Sequence, residues 1–253
     1  MSRIHLEIYG QGRPLVMIHG WAMHSGVWRE FAQQLAEHCQ VICLDLPGHG
    51  RSEAIEPFTL EHISEALLKA IPIERFSLLG WSLGATVVMA MAERAPERVE
   101  SLLLLAGNPH FVQQGDWPGV KAETLDGFAE LLKIDVSQTL ARFLALQVNG
   151  LSHGKPLLQA PKRALQECSP PSADILQAGL EILKTADQRE FLLRNPLPVK
   201  MIVGDRDTLI PLACAQRIRR INPNIDVYVL ESAGHAPFLS HPEQLIAAIS
   251  AVL

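Results

Sequence analysis

Short apolar runs alternate with amphipathic stretches along most of the chain. Ile4–Tyr9, Leu15–Ile18, Val41–Leu44, Phe76–Leu79, Ser101–Leu105, Val199–Val203 and Asp226–Leu230 are four to six residues long. Runs of that length read as buried strands. Apolar positions recur at helical spacing in Val27–Glu37, Leu60–Ile71, Leu83–Glu93, Leu212–Arg219 and Pro242–Val252. Thr59 and Ser240 stand where helix starts are expected. Strand–helix alternation of this kind predicts an α/β fold: a mostly parallel central sheet with helices on both faces.

The alternation breaks between about His110 and Arg194. Only helical patterns occur there, at Ala122–Ile134, Ser137–Val148, Pro156–Glu167 and Ala173–Thr185. Leu140, Phe143, Leu144 and Leu146 make an apolar stripe on the second. Gly150, Gly154 and Pro170–Pro171 punctuate the segment. The expected layout is a core in two parts, 1–112 and 191–253, interrupted by an all-helical lid over 113–190. An insertion after a central strand lands over the carboxyl ends of the sheet, where such sheets bind ligands.

Composition narrows the function classes. Hydrophobic residues make up 48% of the 253 and charged residues 19%, the balance of a globular protein with a substantial core. Lys+Arg 22 against Asp+Glu 27 leaves a net charge of −5, which argues against general nucleic-acid binding. The four cysteines (39, 43, 168 and 214) form neither a disulfide framework nor a zinc-ligand pattern and read as reduced thiols. The first residues lack the apolar stretch of a secretory signal. The longest strongly apolar run, Ala85–Ala92, falls far short of the ~18–20 residues that span a bilayer. The expectation is a soluble, cytoplasmic monomer that needs no metal and no cofactor.

The strongest chemical signal is Gly80-Trp81-Ser82-Leu83-Gly84, a G-x-S-x-G between a strand and a helical pattern. A turn this tight lifts the serine hydroxyl above the sheet at a helix amino end, where free N–H groups favour negative charge. The plain alternative is a serine that only caps a helix. A serine hydroxyl needs a base, and in hydrolases with such a turn the chain order is serine, acid, histidine. Among ten histidines, His235 and His241 follow the last strand. His235 lies in the loop Ala233-Gly-His-Ala-Pro-Phe238 and is favoured, while His241 opens the last helix. Two aspartates compete in Gly204-Asp205-Arg206-Asp207. Asp207 is favoured, because Asp205 is close enough to the strand end to pair with Arg206 or fix the loop. The oxyanion hole is expected from the backbone N–H groups of Leu83 and Trp21, with Gly20 allowing close approach and His19 bracing the loop. The loop Asp45–Ser52 has a Gly-x-Gly but no phosphate-binding pattern, and reads as structural.

These motifs together resemble the α/β-hydrolase family, in family order and over essentially the whole chain. Asp116–Gly119, Arg142–Gln147 and Gly179–Thr185 are similar to the lid of that family's biotin-synthesis carboxylesterases, which hydrolyse the methyl ester of pimeloyl-acyl-carrier protein. The resemblance implies a serine carboxylesterase acting on a carrier-bound pimeloyl methyl ester. It implies Ser82, Asp207 and His235 as the catalytic set. It further implies a substrate channel along Trp21, Ser82, Leu83, Phe143, Leu144, Ala145, Leu146, Gln147 and His235. Carrier contacts in those esterases are lid arginines. Here Arg142 stands at such a position, Gln138 and Gln159 replace two others, and Lys155, Lys162 and Arg163 are the remaining cations. Residues 136–166 contain no Asp or Glu and four Lys/Arg, where the chain average would put about three acids. Two other readings share the scaffold: a C–C bond or general short-chain ester hydrolase, and a non-catalytic receptor, which the intact serine, aspartate and histidine set disfavours.

Overall fold

Every apolar run read as a strand is one. The computed structural model describes residues 2–149, 151 and 154–253, and its strands are β1 (Leu6–Tyr9), β2 (Pro14–Ile18), β3 (Gln40–Leu44), β4 (Phe76–Trp81), β5 (Val99–Leu105), β6 (Val199–Gly204) and β7 (Asp226–Leu230). They form one sheet in the order β1-β3-β2-β4-β5-β6-β7. Only β1 is antiparallel, pairing Leu6 with Leu44. β4 runs on to Trp81 because its ladder with β5 continues through Gly80↔Leu104 and Trp81↔Leu105. The chain leaves β2 toward β3 on one side and returns to β4 on the other, so the strand order reverses between β2 and β4. Outside the carboxyl ends of two such strands lies a natural crevice.

The helices of the two core parts are α1 (Arg29–Leu35), α2 (Leu60–Ala70), α3 (Leu83–Arg94), α10 (Leu212–Ile221), α11 (Pro237–Ser240) and α12 (Pro242–Ser250). A 3-10 turn, Ser25–Trp28, takes the first residues of the helix expected from Val27. Thr59 caps α2 as expected, accepting from the N–H of His62. Ser240 does not cap the last helix. It closes α11, and His241 takes the position before Pro242. The strands β2, β4 and β6 are buried almost throughout, so the core lies along the middle of the sheet.

Between β5 and β6 the chain runs through α4 (Ala122–Ile134), α5 (Val136–Leu146), α6 (Gly154–Leu157), α7 (Gln159–Glu167), α8 (Ala173–Thr185) and α9 (Arg189–Arg194). Ahead of α4 the segment is closed by isolated bridges, Val112↔Val120 and Gln114↔Trp117. The inserted helices are tied to the core at defined points. Arg29 grips Glu167 of α7 with two bonds of 2.6 and 2.7 Å. The Glu167 carboxyl is held down to about 2, first by that hydrogen-bonded guanidinium. His24 Nδ1 accepts from the Gly26 N–H, so its Nε2–H donates to the Ala164 carbonyl (2.7 Å). Trp21 Nε1 donates to the Leu176 carbonyl of α8 (2.8 Å). Among the described residues the side-chain hydrogen bonds of α5 stay within that helix and its caps, and apolar contacts hold it in place.

Among the described residues, four other than glycine have a positive φ: Ala22 (63°), Ser82 (57°), Ala106 (43°) and Ser232 (61°). Each lies just past the carboxyl end of a strand: β2, β4, β5 and β7 respectively.

Candidate active site

The serine is presented by geometry that only this local sequence permits. Ser82 sits between β4 and α3 at φ 57°, ψ −118°. A Cβ on Gly80 would stand 2.2 Å from the Gly84 carbonyl oxygen, and one on Gly84 would stand 2.2 Å from that of Ile18. Strand and helix can meet so closely only with glycine at both places. Ser82 then occupies the cap position of α3, and the N–H of Leu83 belongs to the first turn, which lacks intrahelical partners. The ends of β2 and β4 touch here, since a Cβ on Gly20 would lie 3.2 Å from Ser82 Cβ.

The Gly20–Trp21 peptide is fixed from behind. His19 Nε2 accepts from the N–H of Leu46 (2.9 Å), so the proton is on Nδ1, which donates to the Gly20 carbonyl (2.8 Å). Met23 N–H bonds the same carbonyl. With that oxygen held on one side, the N–H of Trp21 points to the other. His19 is fully buried, and burial, helped by the nearby His49, lowers it to about 3, so it works as a neutral brace. The Asp45–Ser52 loop is a brace too. The Asp45 carboxylate accepts from the backbone N–H groups of Ser25 (2.6 Å) and Arg51 (2.8 Å). Burial opposes its charge, but those N–H donors keep it below the usual carboxylate range.

His235 and Asp207 meet in the interior. The Nδ1–H of His235 donates to Asp207 Oδ2 at 2.8 Å, and neither side chain is exposed (0% for both). The other carboxylate oxygen accepts from the N–H groups of Leu209 (2.8 Å) and Ile210 (2.9 Å), which locks the aspartate in place. His235 Nε2 is buried with no hydrogen-bond partner among the described residues. Asp205 turns out to Arg206 (4.0 Å), and His241 pairs with the hydroxyl of Ser240 (2.7 Å). Of the two competing pairs, the structure brings together Asp207 and His235.

Trp21 meets Phe143 of α5 edge to face at 4.6 Å, and Phe128 of α4 lies 5.8 Å from Phe143. Phe128 had no motif to mark it, only its place on an amphipathic helix. The buried residues of α5 and its cap are Leu140, Phe143, Leu144 and Gln147, with Leu146 half-buried and Ala145 exposed. Ala145 therefore stands on the exposed face of α5, away from its buried neighbours. Gln147 donates through Nε2 to the Phe143 carbonyl (3.1 Å), while its Oε1 is buried without a partner among the described residues. Ser82, Trp21 and Leu83 are all buried. Arg142, Lys162 and Arg163 are exposed, and Arg163 approaches Glu30 at 3.6 Å. The side chain of Lys155 lies outside the described residues. Among the described residues, no three His, Cys, Asp or Glu side chains group as metal ligands. No described helix is long and apolar enough to cross a membrane.

A buried serine in a glycine elbow and, on later loops of the same sheet, a buried histidine held by an aspartate define a class. The family model for the alpha/beta hydrolase fold matches residues 13–242, and the chain belongs to that family. Within it the chain is an ester hydrolase by kinship. It is 41% identical over 253 residues, all of both chains, to the pimeloyl-acyl-carrier-protein methyl ester esterase of Nitrosomonas europaea. It is 39% identical to the protein of the same name from Methylococcus capsulatus, over 95% of this chain and 94% of that one. An esterase from Exiguobacterium antarcticum shares the fold at TM-score 0.88 with 23% identity, covering 99% of this chain and 96% of that one.

Proposed function

We propose that this esterase hydrolyses the methyl ester of pimeloyl-acyl-carrier protein, releasing methanol and the free pimeloyl acid on its carrier for biotin synthesis. The carrying observation is full-length similarity near 40% to esterases of that name, in a chain that pairs His235 with Asp207 in its interior. In this reading His235 Nε2 takes the proton of Ser82, whose oxygen attacks the ester carbonyl. The N–H groups of Trp21 and Leu83 stabilise the oxyanion, and His235 returns the proton to the departing methanol. Water, deprotonated by the same histidine, then releases the acyl group. Asp207 holds the proton-accepting tautomer and stabilises the imidazolium. The helices over 113–190 act as a lid, and because Ser82 is only 2% exposed, substrate reaches it when they part. The direct test is incubation with the carrier-bound methyl ester, detecting the free acid and methanol. No release above the rate of a Ser82→Ala control would reject the substrate.

The acyl chain is assigned to the apolar face of α5, with Phe143 and Leu146 along the channel. Each buried CH₂ contributes roughly 0.8 kcal/mol, so kcat/KM for p-nitrophenyl esters is expected to rise several-fold per added carbon until the channel is full. A flat series from acetyl to octanoyl would remove the acyl channel from the proposal.

The carrier is assigned to the exposed cations Arg142, Lys162 and Arg163, with Lys155 as a further candidate. Carrier binding here depends on opposite charge, which mainly raises the association rate and is screened by salt. Reversing Arg142 and Lys162 to glutamate is expected to lower kcat/KM for the carrier-bound ester at least tenfold at low salt, on the scale of lost electrostatic steering. Turnover of a short p-nitrophenyl ester should hardly change. Equal losses on both substrates would place these residues in lid folding instead.

A further inference from the structure

Trp81 precedes the serine in the elbow, and its side chain reaches the backbone of the histidine loop. Its indole Nε1–H donates to the backbone carbonyl of His235 at 2.8 Å, and the two rings stand 5.9 Å apart. The loop from Glu231 to Ala236 is neither helix nor strand. Asp207 fixes which way the imidazole faces, yet it bonds only the ring. The backbone of the loop has few other anchors: Arg206 N–H holds the Ala233 carbonyl (2.9 Å) on the side of the acid. On the nucleophile's side, the bond from Trp81 to His235 itself is, among the described residues, the hydrogen bond that ties the two loops.

We propose that Trp81 is a positioning residue that sets the distance between the nucleophile and its base. Ser82 is covalently next to Trp81, and Trp81 holds His235 by its own carbonyl. One side chain therefore spans from nucleophile to base, in a reaction where a 1 Å misplacement costs about 100-fold. The inference rests on the reading of His235 as the base for Ser82.

The surrounding aromatic cluster supplies a control. Trp28 packs on Trp81 (5.8 Å, edge to face), and both pack on Phe238 (4.5 and 4.9 Å). Trp28 Nε1 is buried without a hydrogen-bond partner among the described residues. Trp28→Phe thus removes the same ring from the same cluster and breaks no bond to His235. On a short p-nitrophenyl ester, Trp81→Phe is expected to lower kcat about 100-fold with KM nearly unchanged. The rate of covalent labelling by a p-nitrophenyl phosphonate should fall in step. Trp28→Phe is expected to keep the wild-type kcat even where its Tm falls. Trp81→Tyr, whose hydroxyl lies at the far end of the ring from the indole N–H position, gives a second route to the same loss if the phenylalanine variant does not fold. Wild-type kcat in the Trp81 variants, or equal losses in Trp81→Phe and Trp28→Phe, would overturn the positioning role. His235→Ala separates the two levels. If it is inactive while Trp81→Phe is fully active, the triad stands and the tie fails. If His235→Ala is itself active, the triad fails and the tie with it.

Discussion

Ser82→Ala is expected to lower kcat on esters by about 10⁶-fold, the scale of loss when a triad nucleophile is removed. The residual rate should come from the Trp21 and Leu83 N–H donors and from binding alone. The fold should survive, because the backbone bonds of the elbow remain: Ser82 N–H to the Leu105 carbonyl (3.0 Å) and Ala85 N–H to the Ser82 carbonyl (2.9 Å). Alanine also tolerates the positive φ about as well as serine does. Circular dichroism and Tm, measured beside the kinetics, separate loss of chemistry from loss of structure. Turnover within tenfold of wild type would mean that another group carries the attack.

Asp207→Asn is expected to cost about 10⁴-fold in kcat, the scale set by the same change in a serine triad. Asparagine can still accept from the N–H groups of Leu209 and Ile210 through its oxygen. Its NH₂ then faces His235, which obliges Nδ1 to accept and moves the proton to Nε2, the atom that must receive the proton of Ser82. Asp205→Asn should be nearly neutral, since among the described residues that carboxylate reaches only Arg206 and lies outside the interior pair. Steady-state kinetics on the two variants decide the assignment. An inactive Asp205→Asn beside an active Asp207→Asn would reverse it.

Much of this was written locally in the chain. The central strands are legible because burial on both faces leaves continuous apolar runs, and the elbow because two glycines must bracket a single serine. His235 and Asp207 are legible through position, each in a loop after a late strand. Other features depend on partners distant in sequence. The hydrogen bond from Trp81 to His235 spans 154 positions and that from Trp21 to Leu176 spans 155, and neither donor differs in sequence from an ordinary core tryptophan. The helix Arg189–Arg194 has six residues and no side-chain cap. Its start is set by a tertiary bond instead, the Gln188 N–H to the Pro109 carbonyl (2.8 Å). Ala145 lies within a continuous motif segment, but a helix turns every third or fourth residue of such a segment to the same face, and Ala145 shares the exposed side with Arg142.

The four left-handed residues at Ala22, Ser82, Ala106 and Ser232 give the molecule an uneven distribution of stability. Each non-glycine residue held there costs roughly 1–2 kcal/mol, against a whole-domain margin of about 5–15 kcal/mol. All four lie past the carboxyl ends of strands, on the edge that carries the serine. Selection for heat tolerance alone would therefore find its first gains along this rim, by admitting glycine or asparagine where the backbone already wants them. Those gains would not be equivalent in use. At Ala106 and Ser232 the exchange relaxes loops beside the site, whereas at Ser82 it removes the nucleophile and at Ala22 it loosens the turn that aims the Trp21 N–H. Thermal robustness and turnover thus draw on the same few dihedral angles, and a hardened version of this enzyme should be sought elsewhere on its surface.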